Sequence, residues 1–435
     1  MMAPRSFVTA AKTAIAIGAA LAACLTLVNA PAPLAFDSAF IAHLAGLLAG
    51  YIVAIMVLLM SRAPSLERGI GADRLARWHG RGGRVFVILM LVHAVAATAS
   101  WATSRGVDAL TATIAVLGLP GLLAATAGTL LFVAIAVISI RIARRKLSYE
   151  TWHGVHLLTY VALALTFAHE LAGPNLAGQP VIQVAWTLLY VYALALVARY
   201  RFLRPLAQAW RHRLRVDRIV PEAPGVTSIL LRGRHLDELS VEAGQFFRWR
   251  FLTAQTWRSA HPFSVSAAVD GDLLRVTVKA LGSGSTLLQS IEPGTRVLAE
   301  GPYGAMTARK RTRRSVLLIA GGVGITPMRA LFEELEVDGG RLTLLYRASS
   351  PDDVVFRDEL EEIAALRGAD IIWVLGRSSD PATSMAGDNL RRLVPDVAER
   401  DVYLCASPRF ATAVREGLAG AGLPAARLHE EVFEF

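Results

Sequence analysis

Six apolar segments fill the first 200 residues of this 435-residue chain and restrict its fold more than any other feature. Each has about the 20 residues that a helix needs to cross the hydrocarbon core of a bilayer. Hydrophobic residues make up 54% of the chain, which is too many for an ordinary soluble protein. The segments cover residues 13–30, 39–61, 83–103, 112–141, 152–171 and 181–200. The sequence therefore predicts a membrane α-helical bundle of about six transmembrane helices over residues 1–210.

Basic residues indicate which side of the membrane each loop occupies. The loop at 62–84 contains six arginines, whereas the opposite loops at 31–38, 104–111 and 172–180 contain a single basic residue, Arg105. Arg141, Arg144, Arg145 and Lys146 add charge to the basic side. By the positive-inside rule that side is cytoplasmic, which predicts a multi-pass plasma-membrane protein whose C-terminal half is cytoplasmic.

Two further inferences concern charge and the N-terminal segment. The net charge of +10 follows from the basic borders of the spans and from attraction to membrane lipid, so we expect no nucleic-acid partner. The first segment ends at Val28-Asn29-Ala30 and also has features of a signal peptide, so its cleavage stays open.

Four histidines lie on two apolar helix candidates, the stretch Trp78–Ser100 and the fifth segment. Ionisable side chains are rare on membrane helices unless they serve a function. His79 and His93 are fourteen residues apart, which is about 21 Å of helix rise and within about 40° of one face. His156 and His169 are thirteen residues apart, about 19.5 Å. Both helices begin on the cytoplasmic side, so His79 faces His156 and His93 faces His169 at a second depth. Two imidazole pairs at two depths predict two stacked b-type haems, against an alternative of histidines that only pack.

The fifth segment fits this arrangement less well than the third. Thirteen residues rotate His169 about 140° from the face of His156, so the helix must bend or its ligands must reach. His153 is a rival for the inner position, and His43 has no partner at its depth, which favours a structural role. Only two cysteines are present, Cys24 and Cys405, so an iron–sulfur cluster with four thiolate ligands is excluded.

From Leu214 onward, the chain has short runs in which apolar and polar residues alternate, separated by Gly and Pro turns. This pattern predicts an antiparallel β-barrel over residues 211–310. Within it, Gly282 and Gly284 permit close backbone approach, Ser285 offers a donor and Lys279 offers positive charge. The two motifs that stand out are His261-Pro262-Phe263-Ser264 and Val278-Lys279-Ala280-Leu281-Gly282-Ser283-Gly284-Ser285.

In this order the motifs resemble those of the ferredoxin–NADP reductase superfamily. The resemblance implies that the first motif lies along the isoalloxazine and ribityl chain of FAD. It also implies that backbone amides and a hydroxyl of the second motif bind the pyrophosphate.

The pattern of strands, loops and helices in residues 311–435 predicts an α/β nucleotide-binding domain. A buried strand at 315–320 leads into Gly321-Gly322-Val323-Gly324-Ile325-Thr326-Pro327 and then into a helix through Glu334. We expect Thr326 to cap this helix and Pro327 to lie in its first turn, which leaves free amides for a phosphate. Arg347 and the serines after the next strand favour the 2′-phosphate of NADPH, and NADH stays possible.

The last part of the chain adds two expectations from the same resemblance. The segment Cys405-Ala406-Ser407-Pro408 is similar to a cysteine–glycine–proline segment beside the nicotinamide, with Ala406 in the place of glycine. Cys405 is either a participant there or a buried packing residue. Phe435, or alternatively Phe433, would stack on the flavin and move aside for the nicotinamide.

The membrane half resembles the ferric reductase transmembrane domain through Trp78-His79, His93, Glu150-Thr151-Trp152, His156 and His169. Together the two halves resemble the NADPH oxidase and ferric reductase superfamily, in its single-chain bacterial form. The resemblance implies electron transfer from NADPH through FAD and two haems to a small-molecule acceptor outside, either dioxygen or ferric iron. We expect no obligatory protein partner. Two alternatives stay open: a membrane-anchored NADPH–flavin reductase, and a haem subunit that feeds a quinone or a partner protein.

Overall fold

The computed structural model describes residues 4–29, 35–140, 147, 149–304, 306–337, 341–376 and 380–432. It divides into two compact units, Met1–Phe202 and Leu203–Phe435. The predicted gate residues Phe433 and Phe435 and the basic run 141–146 lie outside the described residues.

The first unit is helical. Its helices are α1 (Pro4–Asn29), α2 (Ser38–Leu59), α3 (Pro64–Ile70), α4 (Ala72–Arg105), α5 (Ala109–Leu117), α6 (Leu122–Ser139), α7 (Tyr149–Leu157), α8 (Thr159–Ala172) and α9 (Pro180–Val197). Six stretches are long and apolar enough to cross a membrane: Phe7–Asn29, Ser38–Leu59, Arg74–Arg105, Leu122–Ser139, Thr151–Ala172 and Pro180–His212. The prediction of about six membrane helices is confirmed.

Two of the predicted segments are not single helices. The segment 112–141 is broken between α5 and α6, because Pro120 cannot continue a helix and Gly121 has a φ of +80°. The fifth segment is broken at Leu158, where the Thr159 hydroxyl donates a hydrogen bond of 2.8 Å to the His156 carbonyl oxygen. The expectation that the helix carrying His156 and His169 departs from a straight course is confirmed.

The second unit begins with α10 (Arg204–His212) and an antiparallel barrel. Its strands are β1 (Arg215–Ala223), β2 (Val226–Arg232), β3 (Phe246–Phe251), β4 (His261–Ser264), β5 (Leu273–Lys279) and β6 (Val297–Tyr303). They form two three-stranded sheets, β1-β2-β5 and β4-β3-β6. Single bridges from Arg215 to Arg296 and from Val265 to Val276 join the sheets at both edges. Fully buried aromatic side chains fill the interior, and the predicted barrel is confirmed.

A five-stranded parallel sheet follows, with the order β11-β10-β7-β8-β9. Its strands are β7 (Val316–Gly321), β8 (Leu342–Ala348), β9 (Asp370–Leu375), β10 (Asp401–Ala406) and β11 (Leu428–Val432). The remaining helices are α11 (Ser283–Leu287), α12 (Ile325–Glu334), α13 (Arg357–Arg367), α14 (Gly387–Leu393) and α15 (Pro408–Gly420). The strand order reverses between β7 and β10, and ligands of open α/β sheets bind at the carboxyl ends of the strands beside such a reversal.

Candidate cofactor sites

The structure brings the four membrane histidines together as two pairs. The ring centres of His79 and His156 are 6.0 Å apart, and those of His93 and His169 are also 6.0 Å apart. Two imidazoles that bind one metal ion at about 2.0–2.1 Å per nitrogen would have ring centres roughly 6 Å apart. Each pair therefore fits a single iron between its rings. The rival inner residue, His153, lies beside Trp152 with ring centres 6.3 Å apart.

Helix α2 orients both histidines of α4. His93 Nδ1 lies 2.8 Å from the carbonyl oxygen of Ala42, and His79 Nδ1 lies 3.3 Å from that of Met56. A carbonyl oxygen only accepts, so Nδ1 carries the proton in each ring, and Nε2 is unprotonated and could bind a metal. On the facing helix, His156 Nδ1 is buried and has no hydrogen-bond partner among the residues that the structure describes.

Two glycines of α2 leave room for side chains of neighbouring helices. A Cβ at Gly46 would lie 2.8 Å from His93 Nδ1, and a Cβ at Gly50 would lie 2.8 Å from Glu170 Oε2. With Ala42 and Ala54, which are 2% and 1% exposed, they form a stripe of small residues at every fourth position. This is the small-xxx-small pattern of close helix packing in membranes, a signal that the sequence analysis did not use.

Glu170 is a further residue that the sequence analysis missed. Its carboxylate lies 2.7 Å from the Tyr190 hydroxyl and accepts a hydrogen bond of 3.1 Å from Trp186 Nε1. The Tyr190 hydroxyl also lies 2.8 Å from the carbonyl oxygen of Gly50. These contacts join α2, α8 and α9 beside His169. A carboxylate inside an apolar segment is the sequence signal that identifies such a residue.

The two barrel motifs also come together. A Cβ at Gly284 would lie 2.6 Å from His261 Cε1, so the first turn of α11 rests on the imidazole ring of His261 in β4. Trp249 Nε1 donates a hydrogen bond of 2.8 Å to the carbonyl oxygen of Phe263 and fixes that strand. Ser264 is 2% exposed, and its hydroxyl has no hydrogen-bond partner within the described part of the chain. A buried hydroxyl without a partner at the end of this motif fits a flavin heteroatom.

The second motif differs from the prediction in one respect. Ser285 Oγ accepts hydrogen bonds from the amides of Leu281 (2.9 Å) and Gly282 (3.0 Å) and donates to the Gly282 carbonyl oxygen (3.0 Å). Its proton is therefore used inside the turn rather than offered to a pyrophosphate, and the residue holds the loop in shape. Val278 is fully buried on β5, so only its backbone is available to a ligand, and Lys279 is partly exposed.

The glycine-rich loop lies at the carboxyl end of β7, beside the reversal in strand order. Gly322 has a φ of +55° with open space around it, whereas a Cβ at Gly324 would overlap the carbonyl oxygen of Cys405. The prediction that Thr326 caps the helix is wrong. A turn of 3₁₀-helix at 322–324 leads directly into α12, so Gly324 is the N-cap and Thr326 is the second helical residue, 5% exposed. Pro327 lies in the first turn, as predicted.

Cys405 and Arg347 are both buried, which leaves their side chains little access to a bound dinucleotide. Cys405 is fully buried, and burial, with a smaller effect from Glu431, raises the pKa of its thiol well above the ordinary value. A buried, protonated thiol favours the packing interpretation. Arg347 is 6% exposed and donates to the carbonyl oxygen of Ala348. Pro408 is the first residue of α15, at the carboxyl end of β10.

An ion cluster joins the barrel to the α/β domain. Arg275 of β5 donates to both carboxylate oxygens of Glu359 at 2.6 and 2.8 Å, and Arg329 of α12 donates to Glu359 at 2.9 Å. Burial alone would raise the pKa of Glu359, but the two guanidinium groups outweigh it and hold the pKa below the ordinary value.

Two family models match the chain. Residues 45–167 match the ferric reductase like transmembrane component, and residues 318–416 match the oxidoreductase NAD-binding domain. The first match contains His79, His93 and His156, and ends two residues before His169. The second begins within β7 and contains the glycine-rich loop and Cys405.

Curated relatives match about half of the chain. The stachydrine N-demethylase reductase subunit Stc4 of Rhizobium meliloti is 32% identical over 228 residues, which are 49% of this chain and 64% of that protein. Ferredoxin–NADP reductase B of Sorangium cellulosum is 29% identical over 248 residues, 53% of this chain and 100% of that protein. The chain thus spans less than two thirds of Stc4.

Among solved structures, the FAD/NAD-binding domain of nitric oxide dioxygenase from Vibrio cholerae matches with a TM-score of 0.43 and 25% identity. The match covers 51% of this chain and 98% of that one. The family matches and the sequence relatives place a membrane domain and a reductase module on one chain. The chain is a multi-pass membrane protein that joins a domain like the ferric reductase transmembrane component to a ferredoxin–NADP reductase-type FAD- and NAD(P)-binding module, the arrangement of a ferric reductase-like fusion.

Proposed function

We propose that this protein is an NADPH-dependent transmembrane oxidoreductase that moves electrons from the cytoplasm to an acceptor on the outer face. The observation that carries the proposal is the pairing of four membrane histidines at two depths, each pair with ring centres 6.0 Å apart. The reductase module on the same chain supplies a source of electrons for such a site. A chain with only one of these parts would favour one of the alternative functions.

Each part of the chain has a role in this proposal. His79 and His156 would hold the inner haem, and His93 and His169 would hold the outer haem. The buried Ser264 hydroxyl and the Gly284 turn hold the flavin, while the amides after β7 hold the phosphates of the dinucleotide. A bound flavin would supply hydride acceptance and release of single electrons, and bound haems would supply one-electron transfer.

The histidine geometry also bears on the type of acceptor. Because two histidines would hold each haem, no ligand position would remain at the iron for an acceptor. Such a site would suit an acceptor that does not bind to the iron, such as dioxygen or a ferric chelate. We propose a small-molecule acceptor of this kind, with no obligatory protein partner.

The choice of NADPH rests on the end of β8. No carboxylate directly follows the strand to bind a ribose diol, and Ser349 and Ser350 stand there instead. Since Arg347 is buried, it contributes to a 2′-phosphate site only if its side chain moves. The ratio of kcat/KM for NADPH and NADH measures this preference directly.

The decisive experiment is a reduced-minus-oxidised spectrum of the detergent-purified protein, with haem counted as the pyridine haemochrome against FAD. We expect two b-type haems per flavin, both reduced anaerobically by NADPH. His79→Leu and His169→Leu should each lose one haem, whereas His43→Leu should keep both, because His43 belongs to neither pair. Flavin without haem would overturn the proposal and favour a membrane-anchored NADPH–flavin reductase.

A further inference from the structure

Helix α10 follows the sixth apolar span and packs on the barrel with one face only. Gln208 Nε2 donates a hydrogen bond of 2.9 Å to the carbonyl oxygen of Gly301 at β6. His212, on the same side, is 4% exposed and its Nδ1 lies 3.0 Å from the carbonyl oxygen of Arg234. These contacts fix the orientation of the helix relative to the barrel.

The outer face of this helix is apolar instead of polar. Leu203, Leu206 and Trp210 are 63%, 62% and 76% exposed. They are spaced i, i+3 and i+7, so they form one stripe along the helix. A surface helix of a soluble domain has the reverse arrangement, with its apolar residues toward the core. The stripe therefore indicates a surface that something apolar covers.

The length of the preceding span locates this stripe. The helical stretch Pro180–His212 has 33 residues, and its apolar part is α9. At about 1.5 Å per residue, about 20 residues of helix are enough to cross a hydrocarbon core about 30 Å thick. About a dozen residues must therefore lie beyond the hydrocarbon, and α10 is the terminal part of the stretch. Tryptophan is enriched at this level of a membrane, which fits the exposed Trp210.

Positive charge borders the stripe. A groove of about 870 Å³ runs between α10 and the barrel, and among its lining residues are five arginines and two aspartates. Both aspartates, Asp217 and Asp272, form ion pairs with Arg232. Arg213 and Arg215 instead donate to the carbonyl oxygens of Trp210 and Gly294, at 3.3 and 3.2 Å, so no carboxylate neutralises them through these contacts. Arg234 and Arg296 complete the basic lining.

We propose that the stripe and the basic groove form a docking surface for anionic phospholipids of the adjoining leaflet. The stripe lies at the boundary between acyl chains and headgroups, and the arginines bind the lipid phosphates. Continuity with a membrane span favours lipid over a soluble protein as the occupant, because the lipid is already present at this level. The proposal is independent of the electron acceptor and of the haem count.

The test uses the full-length protein in nanodiscs of phosphatidylcholine alone or with 30% phosphatidylglycerol. Amide hydrogen exchange is measured for peptides covering residues 203–216. We expect roughly tenfold slower exchange in the anionic discs at low salt, and a smaller effect at 0.5 M NaCl because salt screens exposed charges. Arg213→Gln with Arg215→Gln should abolish the difference. Arg391→Gln with Arg392→Gln, an equal change in charge on the exposed helix α14, should preserve it.

Two outcomes would overturn the proposal. Equal exchange in the two kinds of disc would show that anionic lipid does not bind here. Protection that rises with protein concentration in neutral discs would assign the surface to a second copy of the chain. Arg213→Lys with Arg215→Lys keeps the charge and should keep the protection, which separates charge loss from misfolding. Haem and flavin content, measured on the same samples, reports separately on the proposed electron path.

Discussion

Replacing Gly46 by alanine should damage the outer histidine pair and spare the inner one. The new Cβ would lie 2.8 Å from His93 Nδ1 and 3.0 Å from Cε1, closer than side-chain carbons approach other atoms in folded proteins. The imidazole must move by about half an ångström or more to restore contact near 3.5 Å. That movement weakens the hydrogen bond from Nδ1 to the Ala42 carbonyl oxygen, which fixes the ring.

The expected size follows from two terms. Loss of the ring hydrogen bond costs about 0.5–1.5 kcal/mol, and a strained side-chain torsion costs a similar amount. A total of about 1–3 kcal/mol corresponds to a roughly 5- to 150-fold loss of affinity for the outer haem. After purification, the haem-to-FAD ratio should therefore fall from near two toward one. The midpoint potential of the remaining outer haem should shift, while that of the inner haem stays unchanged.

Gly80→Ala is the matched control. Gly80 is adjacent to the inner ligand His79 on the same helix, but a Cβ there meets nothing within 4 Å. It should keep both haems and gain about 0.5–1 kcal/mol of helix stability. The reasoning is refuted if Gly46→Ala retains two haems with unchanged spectra and potentials. It is also refuted if both variants lose the same haem.

Three further predictions concern the reductase module. Ser264→Ala should raise the dissociation constant of FAD about 3- to 15-fold, because the flavin loses its hydrogen bond to the buried hydroxyl. Fluorescence titration measures this constant, and an unchanged value would show that Ser264 does not bind the flavin. Glu359→Gln should lower the melting temperature at pH 7 by an amount equivalent to at most about 1 kcal/mol, since the pair is partly exposed. The pKa of Glu359 is depressed in the folded state, so its contribution to stability is fully present above the pKa of the unfolded chain and disappears as the pH falls through the pKa of the folded state. A difference in melting temperature that persists below that pH would contradict this. Cys405→Ala should leave NADPH-driven flavin reduction within about twofold, because the thiol is buried and protonated, and a large loss in stopped-flow measurements would restore it as a participant.

Periodicity and spacing were sufficient to predict the elements that hold the site. His79 and His93 lie on one unbroken helix, so the fixed rise and rotation per residue predict their relative depth and direction from the sequence. The flavin motifs fall on a strand and a turn, which local sequence also indicates. Events that depend on a single peptide unit were harder to predict. The break at Leu158 and the 3₁₀ turn before α12 each change a helix boundary by a few residues, and the second of these removed Thr326 from the capping position.

Burial and partner choice were not predictable, because they depend on tertiary contacts. Arg347 and Ser285 have side chains that can bind phosphate. In the fold, however, Arg347 donates to the carbonyl oxygen of Ala348 at the end of its own strand, and Ser285 donates to that of Gly282 in its own turn. Glu170 carries an obvious sequence signal, but its partners Trp186 and Tyr190 come from a different helix.

Helix α2 contains none of the four proposed haem ligands and still determines how both ligands of α4 are held. Its acceptors, Ala42 and Met56, are fourteen residues apart, the same separation as His93 and His79 in the opposite order. The two antiparallel helices therefore share one register at both depths, and sliding α4 by a single residue would break both ring contacts together. Gly46 lies between the two acceptors and has no side chain to push His93 of α4 away, which lets that register hold. The spacing of the two histidine pairs is thus set by the packing of α2 on α4 as well as by the ligands themselves.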